Sequence, residues 1–167
     1  LRQEPLTVAD LMLCCSIDHP LAGRKDLKVG ELLDWPWALP PEDSNNRTVF
    51  ETAFRNLGLV GPAPVVEVAS DPNALIHLAI HAGYLTCVPQ VALDAHLARD
   101  RLNAIEIPGF ELPPIQIGFV TLEQNEALGT VRALREAVME AANASHSGAD
   151  APGPPAPSGF PAPAIGA

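Results

Sequence analysis

His77 and His81 stand four apart in ALIHLAIHA. On a helix that spacing puts two imidazoles on one face, as in a metal-binding HExxH segment. The glutamate of that motif is missing, because Leu78, Ala79 and Ile80 intervene. Two histidines on a mostly buried helix, with no metal, are therefore expected. Cys14 and Cys15 are adjacent and point to opposite sheet faces if extended. With Cys87 they read as small core residues on strands. A catalytic pairing of a cysteine with His19 has no further support, and Trp35 and Trp37 read as packing residues around Pro36. The patterns GxGxxG, GxxxxGK[ST], GxSxG and CxxC are absent, which weakens the nucleotide, hydrolase and redox readings together.

Short polar residues next to helix starts offer a different chemistry. Asp43, Ser44 and Asn45 precede one amphipathic segment, Ser70 and Asp71 precede another, and Gln90 follows Pro89. Each can cap a helix. Each can also present a side chain, together with first-turn N–H groups, to a small hydroxylated or anionic ligand. An acidic residue at such a place favours a polyol or an amine over a carboxylate.

The elements that must position these residues alternate in type. Apolar runs at 10–16 (DLMLCCS), 36–41, 64–69, 84–89, 102–107 and 115–121 predict strands. Helical patterns fill 29–35, 47–57, 72–82, 91–99 and 126–142, with Gly58 and Gly83 as stops. In the second of these, Val49, Phe50, Ala53, Phe54 and Leu57 form one stripe. Leu128, Val131, Leu134, Val138 and Ala141 form another in the last. Strands alternating with helices predict an α/β fold with a largely parallel sheet. Ligands in such folds sit beyond the carboxyl ends of strands. That rule selects the loops at 41–46, 70–72 and 89–90.

Composition narrows the class. The chain has 167 residues, a formal net charge of −10 and 47% hydrophobic residues. Its length fits one domain or two small lobes. Ten scattered Lys and Arg argue against a surface that tracks phosphates. No apolar run of about 18 residues is present, so no membrane span is expected. Three cysteines suit a reducing compartment rather than a disulfide scaffold. From Ala144 the text ASHSGADAPGPPAPSGFPAPAIGA reads as a disordered tail. The chain opens on Leu1 with no visible signal peptide, so a fragment or processed form is expected.

Three runs carry a resemblance. EPLTVADLMLCCSIDHPLAG comes first, with HPLA after an apolar strand. VGELLDWPWALPPEDSNNRTVFETAFRNLGL follows, then VVEVASDPNALIHLAIHAGYLTCVPQ. In order and spacing they resemble the effector-binding (substrate-binding) domain of LysR-type transcriptional regulators, and within it the galactose-binding-protein-regulator branch. The resemblance implies a type 2 periplasmic-binding-protein-like α/β fold. Residues 1–15 would be a remnant of the first lobe, 16–112 the second lobe, 113–143 the return to the first lobe, and 144–167 the tail. It implies a cytoplasmic, non-catalytic module without cofactor or metal. That module would bind a small effector, a sugar or organic acid, through Asp43, Ser44, Asn45, Ser70, Asp71 and Gln90. It implies a homo-oligomer paired through the helix at 47–57 and the strand at 65–68, with DNA held only by an N-terminal winged helix-turn-helix that this sequence lacks. The opening half of the first lobe is also missing, which would leave the strand at 115–121 and the last helix without covering partners. Leu85 stands where many members carry a second glycine. A stand-alone solute-binding module and a small α/β enzyme are the alternatives.

Overall fold

The computed structural model describes residues 1–69 and 71–147. Two compact units emerge, residues 3–119 and residues 1–2 with those from 120 onward. Most of the predicted tail lies outside the described residues.

The larger unit is built on a five-stranded sheet in the order β4-β3-β5-β2-β6. These strands are β2 (Leu11–Ser16), β3 (Trp37–Leu39), β4 (Val66–Glu67), β5 (Leu85–Pro89) and β6 (Leu102–Ala104). β3 pairs in parallel with both β4 and β5. β2 pairs antiparallel with β5 and with β6. Four strands thus run one way and β2 alone runs against them, so the sheet is mixed rather than largely parallel. The reason is connectivity. β2 enters ahead of every helix in the unit, so no strand–helix–strand crossover fixes its direction.

Side-chain alternation along these short strands divides the core. Leu11, Leu13, Cys15, Trp37, Leu39, Leu85 and Cys87 join one buried cluster. Cys14, Ala38 and Val88, the intervening residues, join the other. Cys14 and Cys15 therefore face opposite cores, as an extended chain requires. Leu85 is fully buried in the first cluster, and its N–H donates to Pro36 O at 2.9 Å. Where a glycine was the family expectation, a core residue starts the strand.

Helix α1 (Asn45–Asn56) covers the first cluster with Phe50 and Phe54. Leu57, expected on the same stripe, is half exposed because the helix has already ended. Trp37, Phe50, Phe54 and Phe110 form a chain of tilted rings with centroids 5.0 Å apart at each step. Burying rings of this size contributes about 1.5–3 kcal/mol each. Trp37 Nε1 donates to Leu32 O at 2.9 Å. That bond ties in the predicted helical turn at 29–35, which is a 3-10 helix, Val29–Asp34.

Helix α2 (Pro72–Ala82) covers the second cluster with Leu75, Ile76 and Ile80. It is buried on one face only. Asn73, His77 and His81 are exposed on the other, which corrects the expectation of burial nearly all round. Gly83 ends α2 in the left-handed conformation at φ 70°, where a Cβ would be strained. Helix α3 (Gln90–Ala95) is shorter than the predicted 91–99. Its continuation is a separate 3-10 turn, Arg99–Arg101.

β1 (Arg2–Ala9) and β7 (Ile115–Thr121) form a separate two-stranded sheet. No strand was predicted at β1, since its alternation is weak and Pro5 interrupts it. In a two-stranded sheet both strands are edges, which tolerate proline. β7 thus has a hydrogen-bonded neighbour, while of its own residues only Ile115 is buried. The two backbones are close: a Cβ on Gly118 would sit 3.1 Å from Glu4 O.

In the smaller unit, a 3-10 turn at Glu123–Asn125 precedes α4 (Gly129–Ser147). The helix starts three residues later than predicted and runs past residue 142. Its expected apolar face is not a buried one. Leu128, just before it, and Leu134 within it are each more than half exposed.

Candidate functional site

β3, β4 and β5 run the same way, so their carboxyl ends share one edge of the sheet. The loops leaving that edge enclose a cavity of about 420 Å³. Pro40, Pro41, Asp43, Ser44 and Asn46 contribute from the β3–α1 loop and the first turn of α1. Val68, Asp71, Pro72 and Leu75 contribute from the β4–α2 side. Cys87, Val88 and Pro89 close the floor from β5. The three loops selected by the strand-end rule thus converge on one space.

Each helix start here is a capping device before it is anything else. Ser44 is the N-cap of α1, and its Oγ accepts from Arg47 N at 3.2 Å. The amides of Asn45 and Asn46 belong to the first turn, where a helix supplies no acceptor of its own. They remain available to a ligand oxygen. Asp71 is the N-cap of α2, and its Oδ1 accepts from Asn73 N at 2.9 Å. Pro72 follows at the first position, where its missing N–H costs nothing. The cavity therefore offers the carboxylates of Asp43 and Asp71, the Ser44 hydroxyl and the Asn46 amide. Among the described residues no Lys or Arg lines it.

Arg47 stands behind this wall. It is buried, and its Nη1 donates to Pro40 O at 3.2 Å and to Glu67 Oε1 at 3.4 Å. Its Nε donates to Glu51 Oε1 at 2.6 Å. One guanidinium thus ties α1 to the β3 exit loop and to β4.

The predicted residues are not all brought together. Asp43, Ser44 and Asp71 line the cavity. Asn45 opens α1 and is not among the residues that line it. Ser70 lies outside the described residues. Gln90 borders a different space of about 470 Å³, with Met12, Cys14, Leu93 and Asp94. Its Nε2 lies 3.4 Å from each Asp94 carboxylate oxygen. Asn46, in the loop at 41–46 that the strand-end rule selects, lines the cavity as well. Cys87 was read as a core residue. It is one, and it also floors the cavity, being two residues from the carboxyl end of β5.

The thiols carry no nucleophile. Burial pushes Cys14 up to about 12, with a smaller push from neighbouring Cys15, and Cys15 up to about 11. Burial raises Cys87 further still. His19 is buried against the Trp35 ring edge at 4.5 Å, and its Nδ1 accepts from Leu21 N at 3.1 Å. Desolvation holds it below the ordinary histidine value. Among the described residues no group of three or more His, Cys, Asp or Glu could hold a metal. No helix of the described residues is long and apolar enough to cross a membrane.

Comparison with known proteins bears on this arrangement. No curated protein matches the chain. The regulatory domain of Synechocystis PCC6803 CcmR, solved in complex with 2-PG, superposes with a TM-score of 0.67 at 18% identity, covering 84% of this chain and 66% of that one. The effector-binding domain of QuiR in complex with shikimate gives 0.67 at 16% identity, covering 86% and 66%. An OxyR variant from Corynebacterium glutamicum gives 0.58 at 22%, covering 87% and 47%. The chain spans just under two thirds of the first two structures and about half of the third. These likenesses fix a type 2 periplasmic-binding-like α/β fold. The LysR substrate binding domain model matches residues 1–143, nearly all that is described, and the chain belongs to that family.

Proposed function

We propose that this chain is the effector-sensing part of a LysR-type transcriptional regulator, and that the cavity at the exits of β3, β4 and β5 is one wall of its effector site. The observation that carries this reading is the convergence of three strand-exit loops on one space bordered by Asp43, Ser44, Asn46 and Asp71. Open α/β sheets bind ligands at such edges. Two carboxylates and, among the described residues, no lining cation favour a hydroxylated or amine-bearing metabolite, with a sugar or polyol ahead of an organic acid. CcmR and QuiR, by their structures, take 2-PG and shikimate. In the whole protein, effector occupancy would alter DNA held by a separate winged helix-turn-helix. The lobe boundaries near residues 16 and 112 belong to the same reading. So does a homo-oligomer pairing through α1 and the β4 edge, where Val65 is exposed beside Glu67.

The test is calorimetric titration of the chain with separate panels of sugars, polyols, amines and organic acids, repeated on Asp71→Asn. Saturable binding of a hydroxylated compound that Asp71→Asn weakens tenfold or more, about 1.4 kcal/mol, supports the reading. Binding that is indifferent to Asp71, Ser44 and Asp43 substitutions sinks it.

A further inference from the structure

The exposed face of α2 carries a feature that the effector reading does not use. His77 and His81 lie one turn apart, both exposed, with ring centroids 4.3 Å apart and planes inclined by 44°. Among the described residues neither ring makes a hydrogen bond or an ion pair. We infer that these two imidazoles form a bidentate surface site for a divalent first-row transition ion, with Cu²⁺ the best fit.

Geometry is the first support. A metal–nitrogen bond to histidine is roughly 2.0–2.1 Å. Two imidazoles in neighbouring corners of a tetragonal site then hold their ring centres about 4.5 Å apart, given the additional ring radius. The observed centroid spacing of 4.3 Å lies close to that value, so turning the rings about their own side-chain bonds is the adjustment required. Ligand class is the second. Imidazole suits Cu, Ni and Zn, and affinity peaks at Cu²⁺. A structural zinc centre wants four protein ligands, whereas two leave the remaining corners to water, which a tetragonal ion accepts. Helix polarity is the third. His81 lies in the last turn of α2, where the backbone carbonyls favour a cation. Arg101 acts against it, as the nearby positive charge that His81 feels.

An ion clasped across this turn would also stiffen the helix whose first turn supplies Asp71 and Pro72 to the cavity. The site stands independently of any effector, since it rests only on the outer face of α2.

The experiment is titration of the untagged protein with Cu²⁺ in a weakly coordinating buffer, followed by calorimetry and by electron paramagnetic resonance. One equivalent should bind, with nitrogen hyperfine structure in the spectrum and a rise in Tm. His77→Ala and His81→Ala should each weaken binding on the order of a hundredfold, the scale on which a second contact made intramolecular strengthens the first. Both positions are exposed on a helix that alanine favours, and unchanged circular dichroism checks the fold. His96→Ala and His146→Ala should leave the affinity unchanged. Absence of saturable Cu²⁺ binding overturns the inference. So does weakening by only one of the two substitutions, or binding that survives both.

Discussion

Arg47 shows how one side chain can hold a site it does not enter. Its guanidinium is buried against Pro40 O, Glu51 and Glu67. Arg47→Met would keep the aliphatic stem and strand the partners, at a cost of about 1–3 kcal/mol. Urea unfolding should show that loss, and Arg47→Lys should recover only part of it, since an ammonium cannot copy the fork. Titratable residues set the pH limits. Cys14 and Cys87 have raised values in the fold. Above about pH 9 the unfolded chain loses those protons and the folded chain keeps them, so stability falls as pH rises, by about 1.4 kcal/mol per unit for each thiol. His19 works at the other limit. Its value is lowered in the fold, so the unfolded chain takes up the proton first, and stability falls as pH drops below about 6.5. Urea midpoints from pH 5 to 10 should trace a dome, and His19→Gln should flatten its acid side. The sequence made Cys14, Cys15 and Cys87 legible as core residues because small apolar side chains in strand-like runs have few other uses. It did not separate Asn45 from Asn46, since which of two neighbours faces a cavity depends on the turn at which the helix begins.

Helices and strands were easier to read than their ends. α1 and α2 follow from stripes and caps, and β7 matches its predicted span residue for residue. β1 escaped because an edge strand with a proline and a weak alternation looks like a loop. α3 came out short because nothing local distinguishes one turn of α-helix followed by 3-10 from a continuous helix. The caps allow a sharp experiment on the effector reading. Ser44→Ala should destabilise by about 1 kcal/mol, while Ser44→Gly should cost only a few tenths. Both remove the hydroxyl from the cavity. If Ser44 touches the effector, both variants lose affinity equally despite their different stabilities. If it is only a cap, binding follows stability instead.

For the molecule as a whole, stability is distributed unevenly. The two buried clusters draw on residues 9–115, and none of the residues from 120 to 142 is buried. Local opening is cheapest where few apolar contacts close it. Amide exchange should therefore be fast in α4 and slow in β2, β3 and β5. Equal protection in α4 would mean that its apolar side is covered in solution, by another copy or another segment. The fold class was legible from the order of elements and from three loosely matching runs taken together. The direction of β2 was not, because strand direction is set by pairing with segments about 70 to 90 residues further along the chain.

That remote pairing of β2 matters while the chain is being made. Leu11, Leu13 and Cys15 face the core from a strand whose neighbours are β5 and β6. At a synthesis rate of about 5–20 residues per second, roughly 3 to 15 seconds pass between the emergence of β2 and that of β5. Through that interval an apolar ribbon waits at the ribosome exit with both of its edges unpaired, and the nascent chain is at its most open to aggregation.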